Sequence, residues 1–564
     1  MLTLSSEKSL ARFIAFGAFL TTVFVIWGSV TDPVNSPKLF ILGSFAFAAG
    51  AIALVMGSKE LWRSSRLWLI GSIVFVIFSI SAIVNSASPL EQNIYGTYGR
   101  NTGFVAYLAL LLISTAATLL RQKSNFNLIV YALFAAGVAN VAYCLWAIAF
   151  GDFIGWNNPY GNILGTFGNP NFIGAFLGIF ITALTAYVLQ PGISWLYRGL
   201  TLFIVTIGLF EIDKSNAVQG LVVSAAGFSI IGFYLVRSRF KSNLILAGYT
   251  VVIAVLGFIA LLGALQKGPL TSLIYKTSVS LRGEYWQAGW NMASQSPLTG
   301  IGMDSYGDWY RRARDEQALI LPGPETVTNA AHNIPFDILA YGGWPLFITY
   351  IFLISLAVIA IIKITLRNKA YDGTFIALTV AWACYQIQSV ISISQIGLAI
   401  WGWVLSGVVI AYEIATRGSS TSANTAASKP KRAKEQILSA TAIGGLGLVV
   451  GALIVVPPLS ADMKWRSALA STDLTQLKLA LEPSYLTPTD TNRLLNMVSI
   501  LENSKLPDVA YEYAKKAVEF NPESFDSWRT LYAITNSTPQ DKELALTNMK
   551  RLDPKNSNPL NTPK

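Results

Sequence analysis

Thirteen apolar stretches run through this chain and leave it few folds to choose from. A helix needs roughly 20 apolar residues to cross a hydrocarbon core about 30 Å thick. Windows of that kind lie at about 11–30, 39–57, 67–85, 102–120, 127–150, 172–190, 196–212, 216–236, 243–265, 344–363, 373–393, 396–415 and 437–457, the seventh cut short by Glu211 and Asp213. In lipid every backbone polar group must be satisfied internally, so such stretches mean helices. Of the 564 residues, 53% are hydrophobic and only 13% charged, against about 25% charged in a soluble domain. The expected fold is an all-α integral membrane protein. It has about 12 core transmembrane helices with a large outer loop, one extra transmembrane helix and a small soluble helical tail. The boundaries read as a core at 1–415 with its loop at about 266–334, a cytoplasmic linker at 416–436, the added helix at 437–457 and the tail at 458–564.

The formal charge of +11 suggests nucleic acid only until it is located. Placing the N-terminus in the cytoplasm puts Lys8 and Arg12, the Lys59–Arg66 group, Arg121, Lys123, Arg198, the Arg237–Lys241 group, the Lys363–Lys369 group and the linker's basic residues on one side. The short connectors of the other side hold only Lys38, Arg100 and Lys214. The excess is therefore a topology signal for the plasma or inner membrane plus contact with anionic lipids, and no nucleic-acid partner is implied. Both the 266–334 loop and the tail then lie outside. The two cysteines, Cys144 and Cys384, sit in apolar stretches and His332 is the one histidine. No disulfide framework, metal site or cofactor is expected, and the first span reads as a retained helix rather than a signal peptide. A transporter would place ionisable groups near the midplane on repeated, broken helices. Here they cluster at span ends, which favours chemistry at a surface.

The long loop reads SLRGEYWQAGWNMASQSPLTGIGMDSYGDWYRRARDEQ and then TNAAHNIPFDILAYGGWPLFITYIFL. Arg282 followed four residues later by Trp286, then SPLTGIGMDSY, then His332-Asn333 leading into a Gly-Gly span, resembles the signature loop of the O-antigen ligase and polymerase superfamily. GTFGNPNFIGAFLG at 165–178 and YGRNTGF at 98–104 resemble that family's earlier outer loops. The resemblance extends over about residues 10–415. It implies a membrane glycosyltransferase that moves a glycan from a polyprenyl-diphosphate carrier to an acceptor hydroxyl at the outer face, the acceptor being lipid, glycan or protein. Where the family usually carries an arginine in a Ser-Arg-Gly-like turn, this chain has Lys214-Ser215-Asn216.

The chemistry of the residues stands beside that resemblance. Expelling a diphosphate from an anomeric carbon builds negative charge, which fixed cations stabilise, and a guanidinium fork suits phosphate. Arg282 is the first candidate, Arg100 the second and Lys214 the third; Arg100 and Lys214 fit equally well as headgroup anchors or charge partners. His332 has an ordinary pKa near neutrality and suits proton abstraction from an attacking hydroxyl, with Asn333 orienting it or binding substrate. One base and no protein nucleophile mean a single inverting displacement. Trp286 belongs to an aromatic surface that fits either sugar stacking or interfacial anchoring. Arg311 and Arg312 extend a phosphate or acidic-sugar site, or form a solvated helix face with Asp315 and Glu316. The pairs Gly342-Gly343 and Gly444-Gly445 read as close helix packing.

In the tail, LPDVAYEYAKKAVEFNPESFDSWRTLYAI has helical spacing broken at Asn521-Pro522. It resembles a tetratricopeptide unit through Ala510, Tyr513, Ala517, Pro522, Trp528 and Leu531, over about a unit and a half. Such a unit cannot bury its apolar face alone, so a helical cap and a docking surface for a protein partner are both open.

Overall fold

The computed structural model describes residues 3–155, 158, 161–240, 242–265, 267–271, 277–417, 430–471, 473–558 and 560. Most of the 416–436 linker lies outside them. Among these residues there are α-helices and no strand. The first ten are α1 (Leu4–Val23), α2 (Asn35–Ser64), α3 (Arg66–Val84), α4 (Leu90–Tyr95), α5 (Phe104–Ala117), α6 (Lys123–Phe150), α7 (Pro170–Val188), α8 (Trp195–Lys214), α9 (Val218–Arg239) and α10 (Asn243–Ala264). The 266–334 segment contains α11 (Thr277–Gln295), α12 (Tyr306–Ala313) and α13 (Glu316–Ile320). Then follow α14 (Ile334–Arg367), α15 (Gly373–Val390), α16 (Ile396–Thr416) and α17 (Pro430–Ser471), and in the tail α18 (Leu474–Ala480), α19 (Thr491–Asn503), α20 (Pro507–Phe520), α21 (Phe525–Ala533) and α22 (Pro539–Leu552). Each apolar window became a helix, and among the described residues ten helices are long and apolar enough to cross a membrane. The protein is an all-α, multi-pass membrane protein.

The bounds moved where polar groups decide them. The first window, 11–30, became Leu4–Val23, because the Thr3 hydroxyl accepts from the Ser6 amide and starts the helix early. The chain beyond it then runs into a polar knot, in which the Thr31 and Asp32 amides donate to Asp462 of α17. Lys38, expected in an outer connector, lies instead in the first turn of α2 and is wholly buried. Its ammonium donates to the Thr21 carbonyl at 3.1 Å and to that of Thr22. These are the orphan carbonyls at the end of α1, where a cation is favoured.

The thirteenth window proves to be closely integrated with the core. α17 runs on through Pro457 and Pro458 to Ser471 and lies against α2. A Cβ on Gly43 would meet Val455 at 2.3 Å, and one on Gly451 would meet the Gly43 carbonyl at 2.6 Å. Small residues let two helix backbones approach in lipid. The end of α17 then enters a second apolar core, built from Trp465 and Ala468 together with Leu477, Met497, Ala517, Trp528 and Met549 of the tail. Within it α19 pairs with α20 and α21 with α22.

Gly342 and Gly343 do not serve helix packing as their spacing suggested. Both have non-helical backbone and break α14, with Gly343 at φ +64°. The SPLTGIG turn fills the break. The amides of Ile301 and Gly302 donate to the carbonyls of Ala340 and Tyr341 at 3.0 Å, and the Trp344 amide donates to Pro297 at 2.9 Å. A kink thus turns lost intrahelical bonds into anchors for the long loop. Gly343→Ala should lower stability by about 1–3 kcal/mol from the backbone alone, since φ +64° with ψ −164° is a conformation essentially reserved for glycine. The Pro297 carbonyl, 2.4 Å from the added Cβ, adds to that. Thermal unfolding in detergent checks it, with Gly445→Ala, mid-helix and with a Cβ that meets nothing within 4 Å, expected not to lower the midpoint.

Candidate active site

A buried carboxylate organises one end of the bundle. Asp304, itself in left-handed backbone, is fully enclosed. It accepts from the Thr97 amide at 2.8 Å, the Thr102 hydroxyl at 3.2 Å and the Tyr341 hydroxyl at 3.1 Å. The guanidinium of Arg100 lies 3.8 Å away. Asp304 therefore ties together the connector before α5, the SPLTGIGMDSY turn and α14. Arg100 also donates to the Asn329 carbonyl, three residues before His332. Its Nε and Nη2 have no hydrogen-bond partner among the described residues.

His332 and Asn333 start α14. The Asn333 side chain accepts from the Phe336 amide at 3.2 Å and is the N-cap, with Pro335 in the first turn. This role fits the residue type, and it fixes the backbone immediately after His332. His332 takes φ +55°, a conformation disfavoured for side chains with a Cβ. It is held there by the Ala331 amide donating to Asp337 at 2.7 Å. The imidazole lies against the Tyr285 ring, with centroids 5.5 Å apart. Burial first, and then the charges of Arg282 and Arg100, push the His332 pKa down to about 4. The ordinary value near neutrality therefore does not apply to His332, whose imidazole is neutral across the physiological range.

Arg282 and Trp286 are four residues apart on α11, hence on one face. Trp286 stacks on Phe336 of α14, centroids 6.0 Å apart and planes 7° from parallel, and its buried indole N–H has no partner among the described residues. Burial lowers the Arg282 pKa, with Tyr285 opposing, and no carboxylate among the described residues is within ion-pair distance of its guanidinium. The structure thus brings Arg100, Arg282, Trp286, His332 and Asn333 together. Lys214 is exposed at the end of α8, with its ammonium 5.4 Å from the Phe210 ring. Asp304, Asn329 and Asp337 are the supports that residue-type reasoning passed over as such. Asp337 carried a signal, an ionisable residue in an apolar run, but the window drawn from 344 left it out.

Arg311 and Arg312, on α12, face the tail. Arg311 donates to the Pro324 carbonyl at 2.8 Å, lies 3.5 Å from Asp553 and stacks 4.3 Å from the Phe525 ring. Arg312 pairs with Glu523, which also pairs with Arg551 at 3.0 Å. Arg314 meets Asp553 at 2.6 Å with both side chains at 0% exposure. Neither a solvated face nor an open phosphate site describes this surface, because the tail covers it. Removing one member of a buried pair leaves an uncompensated charge, at a cost of about 3–5 kcal/mol. Asp553→Ala should therefore speed hydrogen exchange over residues 306–325 and expose the tail to protease. Lys516→Ala, which removes an exposed pair with Glu512 and a contact with the Tyr513 ring at 4.7 Å, both within the tail, should change neither.

Residues 200–351 match the family model described as O-Antigen ligase. The stretch runs from α8 past the kink of α14 and contains Lys214, Arg282, Trp286, Arg311, Arg312, His332 and Asn333. The resemblance to the O-antigen ligase superfamily is thereby shown, and it supports a membrane glycosyltransferase of polysaccharide assembly. No curated protein matches the chain.

Proposed function

We propose that the chain transfers a glycan from a polyprenyl-diphosphate carrier to an acceptor hydroxyl at the outer face of the plasma or inner membrane. The observation that carries this reading is the position of His332 at the start of α14, against the Tyr285 ring at 5.5 Å and close enough to Arg282 and Arg100 for both charges to lower its pKa. The acceptor hydroxyl gives its proton to His332 while its oxygen attacks the anomeric carbon. The bond from that carbon to the diphosphate breaks, and the carrier diphosphate leaves with the negative charge, stabilised by Arg282 and Arg100. Attack from the face opposite the leaving group inverts the anomeric carbon. Trp286 offers a stacking face for a sugar. Asn333 acts by fixing the turn, and Lys214, Arg311 and Arg312 take no step in this account. Among the described residues no three His, Cys, Asp or Glu side chains gather to hold a metal ion; the proposed displacement uses Arg cations in its place. In the cell this reading places the N-terminus in the cytoplasm and the tail outside.

His332→Ala should keep donor binding while turnover falls by roughly 10²-fold to 10⁴-fold. Arg282→Ala should lose roughly 10²-fold or more, and Arg282→Lys should recover only part, since an ammonium lacks the fork. Transfer by purified protein in lipid, followed by mass spectrometry with lipid, glycan and protein acceptors, measures all three and separates ligase, polymerase and protein-glycosylating activity. Folded His332→Ala protein with near-normal turnover would remove the base from this account.

The pH profile has a definite sign. A base that must be neutral loses activity as pH falls through its pKa, so kcat/KM should fall below about pH 4 for the free enzyme. A bound diphosphate offsets the arginine charges and raises the His332 pKa. The acid limb of kcat should therefore lie at higher pH than that of kcat/KM. Coincident limbs in rate measurements from pH 3.5 to 8 would contradict the assignment.

A further inference from the structure

The prolines inside α17 leave a carbonyl to account for. This helix carries no charged residue between Glu435 and Asp462, and its apolar window closes at Pro457. A helical carbonyl is normally bonded by the N–H four residues on, and proline has none. The Leu453 carbonyl therefore loses its donor to Pro457, in a medium where water cannot replace it. The tail supplies the replacement, because the Tyr485 hydroxyl donates to the Leu453 carbonyl. At 1.5 Å of rise per residue, Leu453 lies about 6 Å inside the end of the apolar window. This part of the tail thus reaches the level of the membrane instead of standing clear of it.

A tight turn delivers Tyr485 to that position. The Ser484 and Thr487 amides each donate to the other residue's carbonyl, at 3.2 and 3.0 Å, and the two hydroxyls meet at 2.5 Å. That closure leaves Tyr485 and Leu486 at the tip, 59% and 40% exposed. Leu479 of α18, which lines one groove with Pro483, is 54% exposed. On α17 the exposed residues Leu446, Val449 and Leu453 recur at helical spacing on one face, the face turned to lipid. The bond to Leu453 makes the tip of the turn continuous with it. Bordering charges, Lys478 and Glu482, are one of each sign, so nothing there selects anionic headgroups. Tyrosine is enriched where hydrocarbon meets headgroup. From these observations we infer that the Tyr485-Leu486 turn, with Leu479, dips into the leaflet on the tail's side, so that the partner of this apolar surface is the bilayer itself. Lipid then holds the tail at the membrane while Asp553 and Glu523 hold it on α12. The inference needs α17 to span the membrane and does not depend on the transfer reading.

The test uses the full-length protein in phosphatidylcholine nanodiscs, one copy to a disc. A phosphatidylcholine with a diazirine in its acyl chain, activated by light, should leave adducts on residues 479–486 of the unmodified protein, read by mass spectrometry. Residues 446–453 of α17 are the internal standard. Leu479→Ser combined with Leu486→Ser should lower the yield on the turn by about threefold or more and leave the standard unchanged. Depth is read separately with a nitroxide on Leu486→Cys, an exposed site, while the buried Cys144 and Cys384 stay in place. Its collisions with oxygen relative to a polar nickel chelate should exceed those of the same label at Thr547→Cys, exposed on α22, by about threefold or more, because hydrocarbon excludes the chelate. Absence of adducts on 479–486 beside a labelled 446–453 overturns the inference. So does a Leu486 nitroxide as open to the chelate as the one at Thr547, which means a turn in water. A nitroxide closed to both reagents overturns it as well, since a protein partner or a second copy then covers the surface. Adducts that require anionic phosphatidylglycerol contradict it by pointing to headgroup charge. A protein that passes both measurements yet transfers no glycan keeps the anchor and loses the transfer reading alone.

Discussion

Asp304 is the interaction on which the arrangement of the site depends. A wholly buried carboxylate is costly unless its oxygens are saturated. Here an amide, a hydroxyl and a guanidinium of the connector before α5 and a second hydroxyl from α14 do so. Satisfying that one charge fixes where the connector before α5, the SPLTGIGMDSY turn and the first part of α14 must meet. Arg100 is thereby pointed at the Asn329 carbonyl, and the His332 turn follows. The kink at Gly342-Gly343 does the complementary work on the backbone, accepting the same turn through the Ala340 and Tyr341 carbonyls.

The tail bears on this assembly from outside. Asp553 and Glu523 pair with Arg311 and Arg312 of α12 and with Arg314 just after it, and Asn521 reaches Asp308, which also accepts from Ser88 and Gln92. Since α17 is packed along α2 and its end enters the core of the tail, the tail is joined to the membrane bundle at two places. A chain that unlatched the tail would expose four arginine and aspartate positions of the loop to water at once. The latch therefore belongs with the rigidity that a displacement reaction requires of its first contacts.

Much of this was legible in the residues. Period and length gave every helix of the bundle, and the spacing of Arg282 and Trp286 gave a shared face. His332 stood out by its chemistry and by the motif around it. What was hidden depends on contacts between distant parts of the chain. Nothing near Lys38 in sequence says that its ammonium will cap the end of α1. The destiny of Arg311 and Arg312 was set by Glu523 and Asp553, more than two hundred residues away, whereas their neighbours Asp315 and Glu316 suggested a solvated face. Gly342-Gly343 carried an ambiguous signal, because glycine pairs serve both close packing and kinks, and only the facing SPLTGIG turn distinguishes the two. The lowered pKa of His332 likewise comes from burial and from an arginine in another connector.

The central claim is a single displacement at the anomeric carbon, with His332 as base and arginines holding the leaving diphosphate. The most direct measurement is the anomeric configuration of the product, determined by NMR after transfer from a polyprenyl-diphosphate glycan of known configuration in excess EDTA. The account predicts continued transfer with complete inversion. Retention of configuration, or transfer abolished by EDTA and restored by a divalent ion, would contradict it.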